Sequence, residues 1–344
     1  MLLKTLKLFK EKKSNISLPV NIKVDDKKLF IGELNRTIPE SKIYFLRDIK
    51  INQKKVPLIL NFEIMRDFFK FNSISRYSLI KKIIFILSYL YLFFLKKFNK
   101  PKIINKGLII HDRHSENYFH WTTDVLPKLI VAKERRLLEN TTIILPKFKS
   151  NFQLKSVQRL TNNKIFFDSK RNIFVKNLIY ISELHNSGCP RKNLLKKIKT
   201  YFQNQPLKKE RSLKIYISRS QSSRRKLLNE DQLVEYLKKK NFIILNMEKL
   251  NFNDQISLCS RASIIVSVHG AGLTNLLWMK KNTNIIEIRG PEDKNLNPYF
   301  VMCKKLKINY YYYLSKKNFL SNFFSHQNYK IDINQFLKEF QTIL

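Results

Sequence analysis

The sequence predicts an α/β chain built from two doubly wound domains that face each other. Three observations carry this. Buried-strand and helix patterns alternate from Lys106 to Ser182. A polar, proline-containing stretch, "FQNQPLKKERS" (202–212), then interrupts the pattern. A second alternation runs from Leu213 to Leu314. Such alternation implies parallel βαβ units.

The first series begins with "GLIIH" as a buried strand, followed by "NYFHWTTDVLPKLIVAKERRLLE" as a helix that breaks or restarts near Pro127. "TTIILP" is a strand, residues 150–161 are helical, and "NLIYIS" closes a third strand. In the second series "LKIYIS", "FIIL", "SIIVSVHG", "NIIEI" and "INYYYYL" read as strands. Between them lie helices in "NEDQLVEYLKKK", with Asn229 as its cap, "NDQISLCSRA", "LTNLLWM" and "NPYFVMCKKL". The expected organisation is an N-terminal region 1–105, a domain over 106–205, a second over 211–315, and a tail, 316–344, carrying a terminal helix. Residues 1–78 show only short irregular or strand-like pieces.

Apolar residues make up 44% of the 344, enough for a sizeable core. Lys and Arg number 66 against 26 Asp and Glu, giving a formal charge of +40. That field favours nucleic acid, acidic lipid or phosphorylated substrates. Abundant Lys, Asn, Ile, Phe and Tyr with scarce Gly also reflect an AT-rich coding sequence, which does not explain the shortage of carboxylates. The lysines are spread, and no RNA-recognition or helix-turn-helix signature is present, so nucleic acid is not the expected partner. Cys189, Cys259 and Cys303 are too far apart for a zinc or disulfide framework and read as idle thiols. The basic start, "MLLKTLKLFKEKK", lacks the apolar core of a signal peptide and fits a short amphipathic helix on a membrane surface. The run "IIFILSYLYLFFL" (83–95) is shorter than the roughly 20 residues of a membrane span. A core helix, an interfacial helix and a span all remain open for it.

Three stretches carry chemistry. Two of the chain's 6 glycines, Gly270 and Gly272, flank Ala271 in "SVHGAGLTN", at the carboxyl end of a strand and the start of a helix. Free N–H groups there suit an anion, and small residues let it approach. His269 adds a donor, and Thr274 or Asn275 can cap the helix or contact the ligand. In "YISRSQSSRRKLLNED", Arg219, Arg224 and Arg225 follow a strand and match phosphate oxygens. Glu287, near the end of "NIIEIRG", is placed either to accept ribose hydroxyls or to pair with Arg289. In "HDRHSENYFHWTTD", Glu116, His120 and Asp124 recur every four residues and would share one helix face, as general-base chemistry requires. Asp124 could equally cap a helix restarting at Pro127, and the spacing is not that of a metal-binding HExxH.

In this order the three stretches, with "LNFNDQISLCSRA" and "NIIEIRG", resemble the family-61 glycosyltransferases over roughly residues 107–290. The resemblance implies a GT-B fold, two Rossmann-like domains facing a cleft. It implies a nucleotide-sugar donor on the C-terminal domain, an acceptor on the N-terminal one, and inversion at the anomeric carbon. It assigns the donor diphosphate to His269, Gly270, Ala271 and Gly272 and to Arg219 or Arg224, the last of which aligns within one place of Arg225. The base role falls to Asp124 or His120, with no metal and no other cofactor expected. The expected acceptor is a saccharide or lipid-linked glycan. The expected setting is surface (capsular) polysaccharide synthesis by a cytoplasmic enzyme held on the anionic inner membrane. Two other classes stay open: a basic nucleic-acid-binding protein and a catalytically inactive scaffold of the same fold.

Overall fold

The computed structural model describes residues 1–52, 102–112, 114–148, 150–167, 172–203, 212–291, 297–316 and 328–344. The apolar run 83–95 and most of the 202–212 stretch lie outside the described residues. Two compact units form: Met1–Lys12 with Thr37–Leu194, and Lys13–Arg36 with Leu195–Leu344.

The N-terminal residues are more regular than their sequence suggests. They form β1 (Leu2–Phe9), β2 (Lys12–Asn15), helix α1 (Lys27–Leu34), β3 (Asn35–Ile38) and the long β4 (Ser41–Asn52). The basic start is therefore a strand, not an amphipathic helix: β1 pairs antiparallel with β4, Leu6 opposite Ile43. Among the described residues no helix is long and apolar enough to cross a membrane.

The first unit continues with β5 (Lys102–Ile109) and a long helical run. That run consists of α2 (Tyr118–His120), a π-helical turn (Trp121–Val125) and α3 (Leu126–Glu134). Then come β6 (Thr142–Leu145), α4 (Phe152–Leu160), β7 (Ile165–Phe167), β8 (Asn172–Ile181) and α5 (Lys192–Phe202), which carries the chain into the second unit. Its sheet has the order β1-β4-β8-β5-β6-β7. β8, β5, β6 and β7 run parallel to one another; β4 is antiparallel to both β1 and β8. The sheet is thus mixed rather than wholly parallel, because residues from the N-terminal region supply two of its strands. Tyr44 and Leu46 of β4 bury against Ile104, Ile109, Ile144, Ile173 and Val175. After β7 the chain returns to the other side of β5, so the strand order reverses between β5 and β8.

The second unit has five strands: β9 (Leu213–Ile217), β10 (Phe242–Leu245), β11 (Ala262–Val268), β12 (Asn284–Arg289) and β13 (Asn309–Leu314). All pair in parallel in the order β10-β9-β11-β12-β13. This is the doubly wound pattern expected for this half, and its order reverses between β9 and β11. Helices α6 (Glu230–Lys239), α7 (Phe252–Ser260), α8 (Pro298–Leu306) and α9 (Ile333–Phe340) accompany it, with a 3-10 helix over Ala271–Trp278. Asn229 precedes α6 but makes no capping bond. Its amide donates to the Ile331 carbonyl (2.9 Å) and accepts from the Ile331 N–H (3.3 Å), tying down the approach to α9. All three cysteines are buried.

Helix α1 belongs to this second unit although it precedes the first unit's sheet in the chain. Phe30 is fully buried, its ring 5.0 Å from those of Phe300 and Tyr312. The Arg289 guanidinium lies over it at 5.1 Å, and the Leu29 carbonyl accepts from Asn297 Nδ2 at 2.9 Å. Phe30→Ala should cost about 3–5 kcal/mol, the usual loss for a large aromatic in a core. Urea unfolding of the full chain measures it; a loss below about 1 kcal/mol would mean that α1 is not part of that core.

Candidate functional site

Both units place titratable side chains at the point where their strand order reverses. In such sheets that is where ligands bind, beyond the carboxyl ends of the strands.

In the first unit, β5 leads to His111 and Asp112, and β8 leads to Glu183 and His185. The helical run supplies His120, Asp124 and Lys128. Asn117 starts this run: its side chain accepts from the N–H groups of Phe119 and His120. Glu116 therefore lies in the turn before the helix, exposed, and the expected three-residue stripe reduces to His120 and Asp124.

The π-helical turn follows from Pro127. Proline has no N–H to give the carbonyl four residues earlier, that of Thr123, and its ring crowds that carbonyl. A wider turn accommodates it, and π-turns of this kind concentrate at functional sites. The Thr123 carbonyl instead accepts from His185 Nε2 at 2.9 Å.

Asp124 does not cap a helix. Its Oδ2 lies 2.8 Å from His120 Nδ1, and its Oδ1 accepts from the Thr123 hydroxyl (2.7 Å). His185 Nε2 is 3.6 Å from Oδ1. Burial alone would raise the Asp124 pKa. The hydrogen bond and charge of His120, the charge of His185 and the Thr123 hydroxyl outweigh it and lower the pKa. For His120 burial works downward, but the bond to Asp124 and the charges of Asp124, Asp112 and Glu183 win and raise it. The two form an ion pair, with the half-buried His120 ring stacked on His114 at 4.9 Å.

Around this pair sequence reasoning missed His111, Lys128, Glu183 and His185. Lys128 Nζ donates to Glu183 Oε1 at 2.9 Å, both buried. Burial, reinforced by Asp112 and Asp124, raises the Glu183 pKa despite Lys128. His111 donates from Nδ1 to the Ile144 carbonyl (3.1 Å), and burial pushes its pKa down to about 4, so it is neutral. For three of them a signal was available: His111, Glu183 and His185 follow within four residues of the end of an apolar strand, as His269 does, whereas Lys128 lies within α3.

In the second unit, Arg219 follows β9 and the His269–Gly272 turn follows β11. A Cβ on Gly270 would stand 1.9 Å from Arg219 Nη1, so this glycine makes room for a guanidinium. Arg219 is itself fixed. Its Nη2 donates to Ser222 Oγ (2.8 Å) and the Arg224 carbonyl (2.9 Å), its Nε to the Arg225 carbonyl (3.2 Å). Its backbone N–H donates to Glu230, which also accepts from the Tyr216 hydroxyl. Arg224 is exposed; Arg225 is half-buried, in a left-handed conformation (φ 54°), and its charge acts on Arg219 and Tyr299. Of the two neighbours Arg225 belongs to the cluster.

Glu287 is fully buried and both its oxygens are engaged. One accepts from His269 Nδ1, the other from the Tyr310 hydroxyl at 2.5 Å. Burial would raise its pKa, but His269, Arg289 and Tyr310 lower it. It orients His269 and has no oxygen left for a ribose. Arg289 donates to Asn297 Oδ1 (2.8 Å). Asn275 is likewise internal: its amide donates to Gln255 and the Gly272 carbonyl and accepts from Trp278 Nε1. It holds the 3-10 helix in shape. Ala271 and Gly272, at the start of that helix, are partly exposed. The first N–H to bond back is that of Leu273, to the Gly270 carbonyl at 2.9 Å. Among the described residues no group of three or more His, Cys, Asp or Glu is arranged to hold a metal ion.

A paired acid and base at one switch point and a cationic turn at another are the equipment of a group-transfer enzyme. Residues 118–286 match the family model for Glycosyltransferase 61. The matched segment holds His120, Asp124, Arg219 and the His269–Gly272 turn. Curated relatives share shorter segments. An EGF domain-specific O-linked N-acetylglucosamine transferase of Drosophila melanogaster is 35% identical over 83 residues, 23% of this chain and 16% of the relative. Its counterpart in Mus musculus is 30% identical over 91 residues, 25% of this chain and 17% of the relative. The match thus spans about a sixth of these relatives' length.

The ion pair has a pH signature. Because the His120 pKa is raised, its stabilisation is complete below the ordinary histidine value of about 6.5 and fades as pH rises through the raised value. The stability gap between the parent and His120→Gln should narrow from pH 6 to pH 9 in urea unfolding. A gap that stays constant over that range would show that the pair is not ionised.

Proposed function

We propose that this chain is an inverting glycosyltransferase that uses a nucleotide-sugar donor and a hydroxyl acceptor without a metal ion. The observation that carries the reading is the Arg219 guanidinium seated on Gly270 beside the first amides of the 3-10 helix. Preorganised cations and N–H groups of this kind stabilise charge as it develops on a departing diphosphate. Arg219, Arg225 and the amides of Ala271 and Gly272 take that role, with His269 held in place by Glu287.

The base in this reading is His120, not Asp124. Asp124 is buried, with its oxygens given to His120 and Thr123. His120 is half-buried and commits only Nδ1 to the pair, which leaves Nε2 to take a proton. The acceptor hydroxyl loses its proton to Nε2 as its oxygen bonds to the anomeric carbon. The bond from that carbon to the diphosphate oxygen breaks, and the nucleoside diphosphate leaves with the electron pair. Asp124 orients the ring and stabilises the imidazolium that forms.

The relatives named above suggest a protein hydroxyl as one class of acceptor, and the +40 charge suits an acidic one. A saccharide acceptor in surface polysaccharide synthesis is the other class. Transfer assays with each acceptor class separate the two.

The donor site is tested by calorimetric titration with nucleoside diphosphates. Gly270→Ala should displace Arg219 and weaken binding at least tenfold while the protein stays folded; undiminished affinity in the folded variant removes this turn from the donor site.

The base is tested by the pH profile of kcat/KM. With His120 as base, the rate rises with pH through an inflection above about 6.5, because the ring must first lose its proton. In Asp124→Asn the inflection should move to lower pH and turnover should fall by about 10²-fold or more. A flat profile between pH 5 and 9 would instead identify Asp124, whose lowered pKa keeps it ionised throughout.

A further inference from the structure

His185 is absent from the mechanism above, yet its surroundings are unusual. Its side chain is 1% exposed. Both ring nitrogens face carbonyl oxygens: Nε2 lies 2.9 Å from the Thr123 oxygen and Nδ1 3.0 Å from the Asn186 oxygen. A carbonyl only accepts, so each bond needs a proton on the nitrogen. A neutral imidazole has one such proton and a cation has two. The Thr123 carbonyl is available because Pro127 has no N–H to give it.

Several charged groups surround this ring. From the helical run come Asp124, with Oδ1 3.6 Å from Nε2, and His120 on the far side of Asp124. Glu183, two residues earlier in the chain, is paired with Lys128. Asp112, after β5, acts on both Glu183 and His120. Arg191 donates to the neighbouring Leu184 carbonyl at 2.7 Å.

We propose that His185 is a positioning residue that carries both ring protons throughout the reaction, and that its fixed positive charge beneath Asp124 sets the proton affinity of His120. The inference rests on the reading of His120 as base. The hydrogen bond and charge of Asp124 strengthen the hold of His120 on its proton. A second cation on the other side of the same carboxylate offsets part of that pull. His185 moves no proton itself; it fixes the pH at which His120 can accept one.

Histidine-selective ¹⁵N labelling of the full chain tests this directly, since the protein has 6 histidines. The expected result is one ring with both nitrogens protonated from pH 6 to 9, and its absence from the spectrum of His185→Gln. In that variant the His120 midpoint should rise, with proton affinity up about three- to tenfold. The kcat/KM inflection should move upward with it, so that turnover lost at pH 7 returns at higher pH. A purely structural role would lower turnover equally at all pH values and leave the midpoint in place. If His185→Gln does not fold, the parent spectrum still decides, assigned through variants of the other histidines. A neutral His185 ring at pH 7.5, or an unmoved His120 midpoint, overturns the proposal. If the two spectroscopic results hold but kcat/KM does not follow the His120 midpoint, the assignment of His120 as base fails and that of His185 stands.

Discussion

A buried carboxylate has to bring its own counter-charge and donors, because leaving it unpaired costs several kcal/mol. Asp124 and Glu287 are both buried, and they meet this requirement in the same way. Each has one oxygen on a histidine Nδ1 and the other on a hydroxyl: His120 and Thr123 in the first unit, His269 and Tyr310 in the second. The choice of histidine matters. A lysine can also satisfy a buried carboxylate, as Lys128 does for Glu183, but its ordinary pKa lies far above neutral pH. A histidine can release a proton near neutral pH, so the group that permits burial also keeps the site reactive.

The second unit was largely legible because its strands are short continuous apolar runs bounded by turns, as buried parallel strands are. The five runs picked out there overlap β9 to β13 in order. The first unit was legible only where it shares that character. β4 pairs with β8 across more than a hundred residues, Ile43 opposite Ile181, and no local turn signals such a pairing. Without the pairing the N-terminal strands look like irregular pieces. Glu116 was misplaced for a smaller reason: Asn117, one residue later, starts the helix.

The candidate site shows the same limit. His120 and Asp124 were visible because they are one turn apart on a helix. His185 meets Asp124, and Arg219 meets Gly270, only through the sheet, at separations no periodicity encodes. The glycines of the turn could be singled out because the chain has so few, but composition did not show what fills the space. The occupant is a side chain of the protein, the Arg219 guanidinium, which approaches where a Cβ would block it. Asn275 and Glu287 were plausible ligand groups by type and position, and both turned out to be spent inside the protein.

The placement of residues 13–36 in the second unit bears on how the chain is made. Phe30 is synthesised early, but its partners Phe300, Tyr310 and Tyr312 come about 270 residues later. At about 5–20 residues per second, that is a wait on the order of half a minute. Throughout it the apolar side of α1 has no native surface to cover it, while the strands that follow it in the chain are already available to pair. The nascent chain therefore carries an exposed sticky segment for most of its synthesis. Lysines at and around that helix, Lys23 before it, Lys27 and Lys28 in its first turn and Lys42 beyond, keep the segment charged and so oppose aggregation while it waits.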